Sequence, residues 1–354
     1  MAVTLKEVAS VAGVSVATVS RVVNGDSRIS EGTKRRVGEA LNSLGYRRGN
    51  QGARTMNIGF LIADLTKSLH EDVFFNEVLG GVTEYLEPRG YSCLVSPSTG
   101  QIERGGKLPP VVRRVDGVIA GGYNLKLPLI RALSQGPVPV VFLGRYQRGG
   151  DFNAILPDNE EGARQATEHL LDLDRRTIAF VGGPPQSNGH TTQTNVFNDR
   201  LAGFRRALEE RGHTVAERFI YSSELTAQSG FEAALELLHE VESSRSTLDA
   251  ILAADDWIAI GILRALRQRG YRVPDDVAVV GYNDIPLASI AEPSLTTIHV
   301  PKRKLGHAAA KLLREKIEGE IEEPVQISIS PHLVVRESTV PRVPRSTRER
   351  EDEE

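Results

Sequence analysis

Thr4-Leu-Lys-Glu-Val-Ala-Ser-Val-Ala-Gly-Val-Ser-Val-Ala-Thr-Val-Ser-Arg-Val-Val-Asn24 is the stretch that decides how this 354-residue chain is read. Thr4 followed three residues later by Glu7 is a capping box, in which each residue's side chain satisfies the other's orphan backbone amide, so a helix starts at Leu5. Leu5, Val8, Ala9 and Ala12 recur at helical spacing, and Gly13 supplies the left-handed residue that stops the helix and turns the chain. Ser15 then caps a second helix over Val16 to Val23, which Asn24 and Gly25 end. Ser30 opens a third, with Val37, Ala40, Leu41 and Leu44 as its apolar residues. The result is three short helices with the first two tightly joined.

A helix-turn-helix lays the N-terminal residues of its second helix against base edges in the major groove. Val16 and Ala17 are short and apolar, suited to a thymine methyl, and Arg21 one turn later can bond guanine O6 and N7 together. Thr4, Ser15, Thr18, Ser20, Asn24 and Thr33 offer hydroxyl or amide groups for phosphates, which set register without reading sequence. The same spacing also fits a plain three-helix module with Val16 in its core and Arg21 in solvent. The first fifty residues carry eight basic against four acidic side chains, although the whole chain has a net charge of -3. A basic head on an acidic body fits a polyanionic partner for the head alone.

With Val3 in front of it, and with Ser30 and Leu44-Gly-Tyr46 after it, the stretch resembles the DNA-binding head of the LacI/GalR family of bacterial regulators; its Val-Ser-Val-Ala-Thr-Val-Ser-Arg core is most similar to the galactose-repressor branch. The resemblance implies that Val16, Ala17 and Arg21 are the base-reading positions. It continues through Ile58-Gly-Phe-Leu, Phe74-Phe-Asn-Glu, Asp158-Asn-Glu-Glu-Gly-Ala163, Arg200-Leu-Ala-Gly-Phe204, Val279-Val-Gly-Tyr-Asn-Asp284, Leu295-Thr-Thr-Ile298 and Leu333-Val-Val-Arg-Glu-Ser338, and so over nearly the whole chain. The connector departs from it. Family members follow the Tyr with a hinge helix that carries Pro-Asn and a minor-groove leucine. Here Arg48-Gly49 and Thr55 stand at those places, in a segment about five residues short. Gly49 and Gly52 each disfavour helix by about 1 kcal/mol relative to alanine. Arg47, Arg48 and Arg54 remain available to phosphates, and Met56 is the one apolar wedge candidate, although it reads more readily as an ordinary linker residue.

Beyond residue 57, β-rich runs alternate with amphipathic segments. Ile58 to Ala63, Ser92 to Val95, Gly117 to Ala120, Val138 to Leu143, Thr177 to Val181, Ala250 to Ala253 and Val277 to Gly281 read as strands. Phe74 to Glu87, Glu160 to Asp172, Asp199 to Arg211, Gly230 to Glu240 and Trp257 to Gly270 read as helices. Such alternation implies right-handed βαβ units and parallel sheets, and the length fits two subdomains. The fold expected is an N-terminal helix-turn-helix head followed by a two-subdomain α/β body, which the resemblance likens to periplasmic binding proteins. The boundaries read as a head at 1–46, a hinge at 47–57, an effector-binding and dimerisation body at 58–340 and a charged tail at 341–354. Within the body, the N-subdomain takes 58–157 and 290–323, and the C-subdomain 158–289 and 324–340.

Ligands of open α/β sheets bind at the carboxyl ends of strands. Asp64, His70, Phe74, Phe75, Arg145, Asp255, Asp256, Trp257, Asn283 and Asp284 follow such ends. Carboxylates and amides suit the hydroxyls of a sugar and aromatic plates suit its C–H face, although any one Asp there also serves as a helix cap. The resemblance implies that Phe74 and Phe75 line the cleft, that Arg200 grips the effector and that Asp255 and Asn283 bind hydroxyls. Asp72-Val73 replaces a usual Asn-Pro, Gly144 precedes Arg145 where an Asp is frequent, and residues 184 to 198 make a longer polar loop. These departures lean toward an oligosaccharide or glycoside.

Composition sets the remaining bounds. With 40% hydrophobic and 25% charged residues the chain reads as a globular protein, and the lone Cys93 permits neither an intrachain disulfide nor a zinc finger. No signal peptide, membrane span, GxGxxG, P-loop, HExxH or GxSxG is found, which disfavours both a secreted solute-binding protein and an enzyme. The reading is a cytoplasmic homodimeric regulator, nucleoid-associated when bound, with a pseudo-palindromic DNA operator and a sugar effector as partners. No cofactor, metal or membrane is expected.

Overall fold

The computed structural model describes residues 4–23, 29–44, 54–63, 72–98, 108–122, 125, 127–144, 152–184 and 196–340. The head consists of α1 (Leu5–Ala12), α2 (Val16–Val23) and α3 (Glu31–Ser43). Glu7 Oε2 accepts the Thr4 amide at 2.6 Å, the Thr4 hydroxyl accepts the Glu7 amide at 3.3 Å, and Gly13 ends α1 with φ 62°. Ser15 and Ser30 cap the next two helices by accepting the amides of Thr18 at 3.1 Å and Thr33 at 3.4 Å. Val8, Val19, Val37 and Ala40 close the small core between them.

The body has two sheets. The first is built from β1 (Asn57–Ala63), β2 (Ser92–Ser98), β3 (Gly117–Gly122), β4 (Val140–Leu143), β5 (Asn153–Pro157) and β11 (Gln326–Ile329). The second contains β6 (Ile178–Gly182), β7 (Ile220–Ser222), β8 (Ala250–Ala253), β9 (Ala278–Asn283), β10 (Thr296–His299) and β12 (His332–Val334). Strand order is β2-β1-β3-β4-β5-β11 in one and β7-β6-β8-β9-β10-β12 in the other. Every pairing is parallel except β10 with β12. Each order reverses direction beside its first strand, the arrangement that opens a crevice at the carboxyl ends. β3, β4, β8 and β9 are buried along their whole lengths, because parallel sheets are covered on both faces. That is why they read as unbroken apolar runs.

The connecting helices are α4 (Val73–Leu86), α5 (Leu127–Ser134), α6 (Asn159–Asp172), α7 (Val196–Glu210), α8 (Ala227–Ser243), α9 (Asp256–Gln268), α10 (Pro286–Ile290) and α11 (Lys302–Glu318). α4 and α11 meet on glycines: a Cβ on Gly81 would overlap Arg303 O, and one on Gly306 would overlap Val78 O. α8 and α9 do the same at Gly230 and Gly261.

The expected subdomain boundaries need correction. Residues 290–323 do not all belong to the N-subdomain, because β10 pairs with β9 of the second sheet. Residues 324–340 do not all belong to the C-subdomain, because β11 pairs with β5 of the first. The chain therefore crosses between subdomains near 157–159, 299–302 and 329–332. A strand belongs where its backbone hydrogen bonds go, and nothing in four-residue strands such as these marks their sheet in advance.

Candidate functional site

In the head, Val16 is 44% exposed, and Ala17 and Arg21 beside it are also exposed. The turn that was to meet base edges therefore stands outside the head's core, contrary to the plain module in which Val16 was core. Ser15 and Thr18 bond each other through their hydroxyls at 2.8 Å, as do Ser30 and Thr33 at 3.0 Å, and Ser20 is half-buried. Asn24 lies outside the described residues.

At the body's carboxyl-end crevice a buried polar cluster is centred on Arg200, which is 4% exposed on α7. Its Nε donates to Asn159 Oδ1 at 2.9 Å, its Nη1 to Ala254 O and its Nη2 to Asn283 Oδ1 at 3.4 Å. The guanidinium stacks 3.7 Å from the Tyr282 ring centroid, and the Tyr282 hydroxyl donates to Asn159 O at 3.3 Å. Asn283 Nδ2 in turn donates to Asp255 Oδ2 at 2.7 Å, while Asp255 Oδ1 accepts the Trp257 amide at 2.8 Å and caps α9. Asn283 and Asp284 both have left-handed φ, 105° and 52°. Two consecutive non-glycine residues in that region store strain, which is characteristic of ligand sites. Lys302, 1% exposed, sits behind this turn and donates to Asn283 O at 2.6 Å and Asp284 O at 3.2 Å.

The structure thus brings Arg200, Asp255 and Asn283 together, and Trp257 joins them through its backbone. Phe74 is half-buried and lies edge-on to Phe75, with ring centroids 5.3 Å apart. Two expectations are corrected. Phe75 is 4% exposed and packs where Gly121 and Leu143 leave room, so it belongs to the core rather than the cleft wall. Asp284 has both oxygens committed, to Arg336 Nη2 at 2.7 Å and His299 Nδ1 at 2.8 Å, and so braces the C-subdomain instead of offering itself to an effector. Asp64, His70 and Arg145 lie outside the described residues. Asn159, Tyr282 and Lys302 were missed. Asn159 and Tyr282 sit inside sequence segments already singled out, whereas a lone Lys302 gives no signal.

A cavity of about 70 Å³ adjoins the cluster at the first crossover, lined by Pro157, Asp158, Asn159, Glu160, Asp199 and Ser328. Burial pushes the Asp255 carboxyl up to about 6, against the pull of the Trp257 amide and Arg200. Among the described residues no group of His, Cys, Asp and Glu could hold a metal ion, and no helix is long and apolar enough to cross a membrane.

The head and body each match a known family. Residues 4–49 fit the bacterial regulatory proteins of the lacI family, and residues 167–339 fit the periplasmic binding protein-like domain. The HTH-type transcriptional regulator CelR of Thermobifida fusca is 35% identical over 346 residues, which cover 95% of this chain and 98% of CelR. The chain belongs to the LacI family. As a LacI-family protein it is a DNA-binding transcriptional regulator and not an enzyme. Among solved structures, a CelR–cellobiose complex aligns with a TM-score of 0.72 and 34% identity over 95% of this chain and 99% of that one. A lac repressor dimer bound to operator and the anti-inducer ONPF aligns with a TM-score of 0.67 and 28% identity over 96% of this chain and 99% of that one.

Proposed function

We propose that this LacI-family regulator is a repressor of carbohydrate uptake or catabolism genes whose operator affinity is set by a small sugar or glycoside held between the two α/β subdomains. The observation that carries this reading is the buried Arg200–Asn283–Asp255 chain at the carboxyl ends of the strands, beside the crossovers between the subdomains. It presents amide and carboxylate groups of the kind that bind sugar hydroxyls in pairs. The cellobiose in the CelR complex supports the same class of effector.

The protein acts in the cytoplasm, on the nucleoid when operator-bound, as a homodimer. One three-helix head offers few base contacts, and twofold symmetry doubles them on a pseudo-palindrome. Val16, Ala17 and Arg21 read bases, while Thr4, Ser15, Thr18, Ser20, Asn24 and Thr33 meet phosphates. Arg200, Asp255 and Asn283 form the effector site with Phe74 and Trp257, and Asp64, His70 and Arg145 complete it from the neighbouring loops.

The test is selection of duplexes from a random pool, followed by anisotropy titration of the selected duplex with and without mono- and disaccharides. A two-half-site pseudo-palindrome whose affinity changes with one of the sugars is expected. Selection of no sequence, or an operator affinity that no sugar changes, would overturn the reading.

A further inference from the structure

The turn that ends β9 holds two consecutive residues at positive φ, Asn283 at 105° and Asp284 at 52°, a conformation that persists only where its surroundings enforce it. From the C-subdomain, the Thr297 hydroxyl accepts the Asp284 amide at 3.4 Å and Asp256 Oδ2 accepts the Ile285 amide at 2.8 Å, while Arg336 and His299 take the Asp284 carboxylate. The carbonyls of the turn are held from the other subdomain, by Lys302.

Lys302 is the first residue of α11, and α11 belongs to the N-subdomain: its Leu313 covers Gly117 of β3, and its Gly306 lies against Val78 of α4. Lys302 Nζ donates to Asn283 O at 2.6 Å, to Asp284 O at 3.2 Å and to Val300 O at 3.4 Å, with Glu77 of α4 3.7 Å away. An ammonium has three donors, so each of them ends on a backbone carbonyl, and two of the three end on the strained turn. A lysine only 1% exposed is kept in an interior only where its donors are satisfied in this way. The residue it grips is the one whose side chain bridges the cluster: Asn283 Oδ1 accepts from Arg200 and Asn283 Nδ2 donates to Asp255. The direction of that side chain follows from the backbone that Lys302 holds.

We infer that Lys302 is a positioning residue of the effector site: reaching across the subdomain boundary, it fixes the Asn283–Asp284 turn so that the Asn283 amide stays aligned for the effector between Arg200 and Asp255. This rests on the sugar-effector reading above and adds to it a residue that works through the backbone of another. The same grip makes the C-subdomain face of the site depend on where the N-subdomain stands.

The test is a double-mutant cycle in the full-length protein, read by calorimetry. Cellobiose, maltose, lactose and glucose are the probes, and the tightest binder among them is carried into the cycle. Lys302→Met keeps the length of the side chain and removes its donors. Asn283→Gly removes the amide and takes a positive φ without strain, so it abolishes both what Lys302 positions and the need for it. Lys302→Met is expected to weaken sugar binding about tenfold in the unmodified background, since it strips the donors from two buried carbonyls. In the Asn283→Gly background the same change is expected to cost less than about twofold, because residues that act through one another are not additive. Lys302→Gln, one atom shorter and still a donor, replaces Lys302→Met in the cycle if the methionine variant does not melt cooperatively, and the same pattern is expected of it with a smaller loss. Equal losses in the two backgrounds, or an unchanged sugar affinity in the Lys302 variant, would overturn the positioning role while leaving a sugar effector standing. Binding of none of the four sugars, or an Asn283→Gly protein that binds as tightly as the unmodified one, would strike the sugar site as read here and the role of Lys302 with it.

Discussion

Asp256 stands next to the effector cluster without belonging to it. It is fully buried, with Oδ1 2.6 Å from the Thr297 hydroxyl and Oδ2 accepting the Ile285 amide at 2.8 Å. Burial, and after it the Asp255 charge, push its carboxyl up to about 8. In the unfolded chain the same group titrates near about 3.9. Between those values the folded state holds a proton that the unfolded state has released, so stability falls as pH rises toward the folded value. Asp256→Asn imitates the protonated form. Melting temperatures measured from about pH 5 to about pH 8 are expected to decline in the unmodified protein and to decline less in the variant. Parallel curves would mean that Asp256 is not the group responsible. Neither this burial nor the Lys302 contact was legible in the sequence, because the first depends on β10 and the turn after β9 closing over Asp256, and the second on the crossover near 299–302 bringing Lys302 against Asn283.

At the scale of elements, α2 makes the clearest case. Its apolar Val16 and its Arg21 face solvent while Val19 alone is buried, a division that serves an external surface rather than a core. Arg21→Ala is expected to weaken operator binding by about 1–3 kcal/mol and to spare random DNA, since it removes a base contact and not general charge. Equal losses on operator and random duplexes in the anisotropy titration would make Arg21 a backbone contact. The head was legible because its signals are local: a capping box, a left-handed glycine and two serine caps, each acting within four residues. The central strands were legible because burial on both faces leaves no polar alternation. Five strands escaped, among them β7 with three residues and β11, whose Gln326, Ile327 and Ser328 are exposed at a sheet edge. Short edge strands carry little apolar periodicity. Helix α11 was also unread, although its glycine contact with α4 is among the closest approaches in the body.

On the scale of the whole molecule, the parallel sheets give the body two functional ends. The carboxyl ends of the strands hold the effector cluster, and the opposite end of β1 receives the connector from the head. There Asp116 grips the incoming chain: Oδ1 accepts the Thr55 amide at 2.9 Å and the Thr55 hydroxyl at 2.8 Å, and Oδ2 accepts the Met56 amide at 2.9 Å. Met56 takes φ 53° and packs against the core, so it is not the free minor-groove wedge that the sequence left open. Arg54 is likewise engaged by Glu318 at 3.5 Å rather than left for phosphate. β1 has seven residues, a strand of about 20 Å, so a displacement at the crevice reaches the connector only through a firm attachment at its far end. Asp116→Ala removes that attachment at a place remote from the cleft. Sugar affinity is expected to change by less than about twofold, whereas the ligand-dependent shift in operator affinity shrinks, since coupling is a property of the link and not of either site. A Gly-Ser pair inserted after Gly52 loosens the same link from the side of the head and is expected to act in the same direction. The quantity to measure is the ratio of operator affinities with and without sugar in all three proteins. A ratio in Asp116→Ala equal to that of the unmodified chain would show that the signal reaches the heads without passing through the Thr55–Met56 anchor.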